Sequence, residues 1–160
     1  MINLLRLQEG VASVVTDDPW TLIMDGDGER PPGPLILPMA IWLQQPDARQ
    51  GVWLGPDDEA QSLQPWLTQI PLIAVDFPSF RDGRGYSQAY LLRTRLGWQG
   101  ELRAIGDVLR DQLSHMRQCG FDSFAVRADK SAEDALKGLA GMSVLYGRSV
   151  IEPRPLFRRR

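Results

Sequence analysis

The chain has 160 residues, of which 43% are apolar and 24% are charged, and its formal net charge is −2. This composition is typical of a globular domain with its own core, and it excludes a general electrostatic affinity for nucleic acid. The one cysteine, Cys119, excludes an internal disulfide, a four-thiolate zinc site and an iron–sulfur cluster held by this chain alone.

The sequence predicts a cytoplasmic protein that does not enter a membrane. No apolar run approaches the roughly 18 residues of a membrane span. The start, MINLLRLQEG, lacks the basic segment and apolar core of a signal peptide. A single cysteine fits a reducing compartment. No metal site and no nicotinamide or flavin fingerprint is predicted.

Residues 1–34 predict a β hairpin followed by a loop. Two apolar runs, 3–8 and 11–16, flank Glu9-Gly10, which suits a hairpin turn. Residues 20–24 are expected to extend this small sheet, and the Gly, Pro and Asp residues after them predict a loop. We therefore expect 1–34 to be an appendage to the main domain.

Two short strands, each followed by a helix, are predicted next, at 35–37 and 52–54. The acidic residues 57–59 suit the positive end of the second helix, and Pro65 is expected to kink it.

The polar residues are densest in the stretch 71–113, which reads as strand, loop, helix, strand and helix. A buried strand is predicted over 71–76, a helix over 87–96 and a second strand over 100–105. The following helix is expected to begin at Asp107, which has the position of an N-cap.

The last predicted elements are a strand over 123–127, a helix with Ser131 as its cap, and a strand over 144–146. The alternation predicts a single α/β domain over 35–148 with a mainly parallel sheet, and a flexible tail over 149–160. An open, doubly wound sheet is the first interpretation, and a part-barrel of βα units is the second.

A candidate anion or ligand site lies in the loop between the first strand and helix of the central stretch. Its glycines and the helix start suit an anion, and its arginines supply forked hydrogen bonds to an oxyanion. The alternative is a tight turn in which Arg84 pairs with a neighbouring acid. The residues of the candidate site are Arg81, Asp82, Gly83, Arg84, Gly85, Tyr86 and Ser87.

Four further charged residues are expected to support this site from the edge of the sheet: Asp76, Glu101, Arg103 and Asp107. Glu101 and Arg103 point to the same face of one strand, because side chains alternate along a strand. The alternative is a structural ion network, in which these two residues pair with each other or with Asp76.

His115 and Cys119 lie four residues apart, on one face of a predicted helix. A thiol–imidazole nucleophile pair is one interpretation. Structural packing is the favoured one, because the C-terminal end of a helix does not favour a thiolate.

The central motifs resemble a family of small bacterial proteins catalogued as a domain of unknown function (nine-three-four). The matching pieces are FPSFRDGRGYS at 77–87, LLR at 91–93, GELRA at 100–104, GDVL at 106–109, DQL at 111–113 and CGFD at 119–122. The resemblance is strong over roughly residues 50–147. Members often carry the label "oxidoreductase probably involved in sulfite reduction".

The resemblance implies a role in assimilatory sulfur metabolism, as an accessory or redox partner of sulfite reductase or of another sulfur-assimilation protein. The alternative is a stand-alone small enzyme of sulfur metabolism that binds a small oxyanion at the strand ends. The resemblance supplies no catalytic residue, so oxidoreductase activity rests on it alone. A redox cofactor would be bound unconventionally or belong to a partner.

Overall fold

The computed structural model describes residues 1–25 and 28–140. Eight strands and four α-helices are assigned within these ranges. The strands are Leu4–Gln8 (β1), Val11–Val15 (β2), Thr21–Leu22 (β3), Leu35–Pro38 (β4), Gly51–Leu54 (β5), Leu72–Phe77 (β6), Glu101–Gly106 (β7) and Ser123–Ala125 (β8). The α-helices are Met39–Gln44 (α1), Arg84–Thr94 (α2), Leu113–Gln118 (α3) and Ala132–Ala140 (α4).

All the strands belong to one eight-stranded sheet with the order β2-β1-β8-β7-β6-β5-β4-β3. The strands from β3 to β8 are parallel and follow one another in chain order. A doubly wound sheet requires a point where the order of its parallel strands reverses, and the parallel strands of the described residues have no such point. The first interpretation is therefore wrong. The part-barrel of the second is confirmed, because the sheet curls into a half-barrel within one mixed α/β domain.

The two faces of the sheet carry separate apolar clusters because side chains alternate along each strand. The larger cluster lies on the face that the helices cover, here called the outer face, and it includes Val75 of β6 and helical residues such as Leu92 and Leu113. The smaller cluster lies on the inner face and includes Leu72 and Ile105.

The predicted N-terminal hairpin is confirmed, with Glu9 and Gly10 both at positive φ in its turn. It is continuous with the main sheet, because β1 pairs antiparallel with β8. The prediction that residues 20–24 extend the sheet of the N-terminal hairpin is wrong. β3 lies at the opposite edge of the sheet, where it pairs with β4.

The connections between the parallel strands are of mixed type, so a regular βα alternation is not confirmed. The crossover from β5 to β6 is a 3₁₀ helix, Ala60–Trp66, with Pro65 inside it. The helix predicted from Asp107 is divided into a 3₁₀ turn, Arg110–Gln112, and α3. Val108 is fully buried in the outer cluster, which holds the chain extended before the helix begins.

Several local predictions are confirmed. Strands overlap each of the predicted segments at 52–54, 71–76, 100–105 and 123–127. Ser131 caps α4 by accepting a hydrogen bond from the Asp134 N–H at 3.1 Å. The predicted strand over 144–146 and the predicted tail over 149–160 lie outside the described residues.

None of the helices in the described ranges has the length and apolar character needed to cross a lipid bilayer.

Candidate functional site

The loop after β6 and the turn after β7 meet at one edge of the sheet, as predicted. β6 and β7 are parallel neighbours, and Phe77 pairs with Gly106 at their carboxyl ends. Asp107 joins the two segments: its N–H donates to the Phe77 carbonyl at 2.7 Å, and its carboxylate accepts from the Phe80 N–H at 2.8 Å.

The expected capping role of Asp107 is wrong. The residue at the start of the following 3₁₀ turn is Leu109, two positions later. The Asp107 carboxylate instead accepts from Arg127 Nη1 at 2.7 Å, and the hydrogen bonds from Arg127 and Phe80 lower its pKa. Asp107 therefore holds the loop against the segment that follows β8.

Arg84, the first residue of α2, is held between two acids. Its Nε and Nη2 donate to the two carboxylate oxygens of Asp82 at 3.1 and 2.8 Å. Its Nη1 donates to Asp57, in the loop after β5, at 2.8 Å. The predicted pairing of Arg84 with a neighbouring acid is thus present, and it leaves the Arg84 side chain 56% exposed.

The remainder of the loop presents donors to solvent. The hydrogen bonds from Arg84 lower the pKa of Asp82 to about 2, so this carboxylate is ionised at neutral pH. Gly83 is exposed, and its N–H has no acceptor among the described residues. The Arg81 guanidinium lies 5.4 Å from the centre of the exposed Phe80 ring.

Gly85 has a packing role. A Cβ at this position would lie 2.6 Å from the Phe77 ring, closer than side chains approach one another. The glycine therefore allows the first turn of α2 to sit directly on the end of β6, which places Arg84 beside the sheet edge.

Asp76 lies at the end of β6 and is partly buried. Burial raises the pKa of its carboxyl group, and the charge of Asp82 raises it further. Its carboxylate forms no hydrogen bond or ion pair with the described residues.

Glu101 and Arg103 belong to a separate cluster on the inner face of the sheet. Arg103 is fully buried and pairs with Glu101 at 2.7 Å and with Asp18 at 2.8 Å. Ser123 donates to Glu101 at 2.7 Å, and Arg6 pairs with Asp18 at 3.1 Å. The predicted ion network is therefore confirmed, with Asp18 in place of Asp76 as its second acid.

This network lies away from the loop of Arg84. Glu101 is the first residue of β7, whereas Asp107 follows its last residue. Of the four residues predicted to support the site, Asp76 and Asp107 lie at the carboxyl edge of the sheet.

Tyr86 and Ser87 face a different feature, a cavity of about 540 Å³ between α2 and α3. His115 and Cys119 lie in the same cavity, and the Tyr86 and His115 rings are 4.4 Å apart between centroids. Cys119 Sγ is 4.0 Å from His115 Nε2. Burial raises the pKa of the Cys119 thiol, which favours the predicted packing role over a nucleophilic thiolate.

Within residues 1–25 and 28–140, no three His, Cys, Asp or Glu side chains are grouped so that they could hold a metal ion.

A comparison with protein families identifies the family to which the chain is related. Residues 51–157 match the family described as bacterial protein of unknown function (DUF934). The chain belongs to this family. The match includes the Arg84 loop, β6, β7, α2 and α3, and it confirms the resemblance drawn from the central motifs. A comparison with curated proteins gave no match.

Asp18, Asp57 and Arg127 complete these clusters and were not predicted as site residues. Asp57 was noted only for its charge near a helix start, and Asp18 and Arg127 carry no local pattern. Each one meets its partner through the order of the strands, which the sequence alone does not specify.

Proposed function

We propose that this protein acts in assimilatory sulfur metabolism as an accessory of sulfite reductase or of another sulfur-assimilation protein. In this proposal the loop after β6 binds a small oxyanion, or an acidic group of the partner, through Arg84, Arg81 and the Gly83 N–H. The metabolic context comes from the resemblance of the central motifs. The binding role is carried by one observation, the exposed ion pair between Arg84 and Asp57.

The two acids that hold Arg84 differ in exposure. The Asp82 side chain is 15% exposed and grips the guanidinium with both oxygens, whereas the Asp57 side chain is 96% exposed and makes one contact. Exposed ion pairs contribute little to stability. An oxyanion can therefore replace Asp57 at Nη1 while Asp82 keeps the guanidinium oriented.

The surroundings supply further donors for an anion. α2 has eleven residues, so its first turn carries the partial positive charge of a helix start. The exposed Gly83 N–H and the Arg81 guanidinium belong to the same loop. Asp76 and Asp82 oppose an anion, which favours a ligand that is held weakly and exchanged readily.

A titration of the purified protein with sulfite or sulfate tests this proposal. Binding is measured from the shifts of the amide NMR signals of the loop. We expect Arg84→Ala to abolish the response, and Asp57→Asn to strengthen it because the competing carboxylate is removed. Arg49→Ala is a matched control. Arg49 donates through Nε and Nη2 to both carboxylate oxygens of Asp47, two residues before it, as Arg84 does to Asp82, and it lies in another exposed loop. Equal binding by the Arg84→Ala and unmodified proteins would remove Arg84 from the site.

A growth assay tests the metabolic role. In a bacterium that depends on this gene, Arg84→Ala should slow growth on sulfate and leave growth on cysteine unchanged, with little effect on thermal stability because Arg84 is exposed. Sulfite reductase should co-purify with the unmodified protein and be reduced with the variant. Normal growth on sulfate by a stable variant would contradict the proposal.

The alternative, a stand-alone enzyme at the same edge, is favoured by Asp76. A partly buried carboxyl group with a raised pKa and no hydrogen-bond partner among the described residues is of the type that transfers protons. Turnover of a bound oxyanion by the isolated protein would favour this alternative, and binding without turnover would favour the accessory role.

A further inference from the structure

Seven of the described residues line the cavity between α2 and α3, and they combine aromatic surface with polar groups. Two tyrosines and a leucine supply apolar surface, and an arginine, a histidine, a serine and a thiol supply polar atoms. The lining residues are Tyr86, Ser87, Tyr90, Leu91, Arg95, His115 and Cys119. The cavity is wide open to solvent, and its volume of about 540 Å³ is within the range of small-molecule sites, which combine apolar surface with a few polar groups.

The inner wall of the cavity is rigid. The Tyr86 ring packs between the Phe77 ring at 5.0 Å and the His115 ring at 4.4 Å, and Phe77 contacts Phe121 at 5.7 Å. Phe77 and Phe121 are buried in the core. This row of four rings fixes the aromatic wall before any ligand arrives.

The cavity also carries an exposed ring and a positively charged side chain. Tyr90 is 53% exposed, a large fraction for an aromatic side chain. Arg95 forms no ion pair with the described residues. Among the described residues that line the cavity there is an arginine and no carboxylate, so the described lining suits an anionic group as well as an aromatic ring.

We propose that this cavity binds a small planar aromatic molecule that carries an anionic group, such as a mononucleotide. The ring packs against Tyr86 and Tyr90, and the anionic group accepts hydrogen bonds from Arg95 and His115. The Cys119 thiol contributes apolar contact at the base of the cavity. This site is separate from the loop of Arg84 and does not depend on the function proposed for that loop.

His115 is the only histidine in the chain, so its ring proton signals in an NMR spectrum need no further assignment. We expect adenosine 5′-monophosphate to shift these signals in a saturable manner, with a dissociation constant at or below about 1 mM. Adenosine, which lacks the charge, should bind more weakly, and inorganic phosphate alone should not reproduce the shift. Flavin mononucleotide serves as a second aromatic anion.

Variants separate the two parts of the site. Arg95→Ala should weaken binding of the monophosphate about tenfold, the usual scale for a hydrogen-bonded charge pair, and leave adenosine unaffected. Tyr90→Ala should weaken both, whereas Tyr90→Phe should restore both. Arg84→Ala should change neither, which separates this site from the loop.

Three results would overturn the inference. The first is that neither mononucleotide moves the His115 signals at millimolar concentration. The second is that the Arg95→Ala and Tyr90→Ala proteins bind as the unmodified chain does. The third is that adenosine binds as tightly as its monophosphate, which would remove the role of the charge. Circular dichroism confirms that each variant is folded.

Discussion

Arg103 is the buried cation of the ion network on the inner face of the sheet. It is fully buried in β7, and its guanidinium is within hydrogen-bond distance of Asp18, Glu101 and Ser123. Arg6 and the amino terminus of Met1 contact Asp18 as well. The cluster therefore joins β1, β7, β8 and the segment after β2 through charged hydrogen bonds, beside the apolar packing of Leu4, Ile105 and Ala125 on the same face.

We predict that Arg103→Met lowers the free energy of unfolding by about 3–5 kcal/mol, because it removes the fully buried cation that pairs with both Asp18 and Glu101. Urea denaturation measures the loss. The triple variant Asp18→Asn, Glu101→Gln, Arg103→Met should be more stable than the single one, because no uncompensated carboxylate remains. A single variant as stable as the unmodified protein would show that these acids do not need Arg103.

At the scale of the elements, α2 is the helix that positions the candidate anion site. It begins at Arg84, three residues before the predicted start at 87. It ends at Thr94, two residues before the predicted end at 96. Gly97 follows with a φ of +75°, and the Trp98 N–H returns to the Leu92 carbonyl at 2.8 Å.

We predict that Gly85→Ala destabilises the protein by about 1–2 kcal/mol, because the added methyl group overpacks the contact with Phe77 and outweighs the better helix propensity of alanine. The Phe77 ring has little room to move, since Tyr86 and Phe121 flank it. Gly83→Ala is the matched control, because a Cβ there meets no atom within 4 Å. Urea denaturation compares the two, and a Gly85→Ala protein of raised stability would contradict this packing role.

At the scale of the whole molecule, the half-barrel brings residues from the two ends of the described chain together. The Asn3 side chain donates to the Arg127 carbonyl at 3.1 Å, and β1 pairs with β8. Asp18 and Arg103, 85 positions apart, form the buried ion pair. The contribution of this ion pair to the stability of the fold depends on pH.

Burial by itself would raise the pKa of Asp18, but the hydrogen bonds and charges of Arg103 and of the amino terminus outweigh it and lower the pKa. A carboxyl group with a lowered pKa in the folded state stabilises the fold above its unfolded pKa of about 3.9. This stability is lost as the pH falls below that value towards the folded pKa.

We therefore predict that Asp18→Asn reduces stability at pH 7 and flattens the decline of stability between about pH 5 and pH 2. Asp17→Asn is the control, because Asp17 is the exposed neighbour. Thermal unfolding across this pH range measures both variants. An Asp18→Asn protein with the same acid decline as the unmodified chain would exclude Asp18 as its source.

The sequence by itself determined the features that depend on neighbouring residues. Apolar runs bounded by turn residues located the strands of the parallel sheet, Glu9-Gly10 located the hairpin, and Ser131 located the start of α4. The central motifs identified the family and the loop that contains Arg84. Each of these signals lies within a few positions of the structure it specifies, so no knowledge of the fold was required.

Only the tertiary structure decided which residues meet. The alternation of strands and helices in the sequence also fits a doubly wound sheet, and the sequential strand order distinguishes the half-barrel from it. That order placed Asp57 against Arg84 and Asp18 against Arg103, and it turned Tyr86 towards His115 across the gap between two helices. Whether two such distant residues come into contact depends on strand order and helix packing. Neither of these produces a periodic pattern in the sequence.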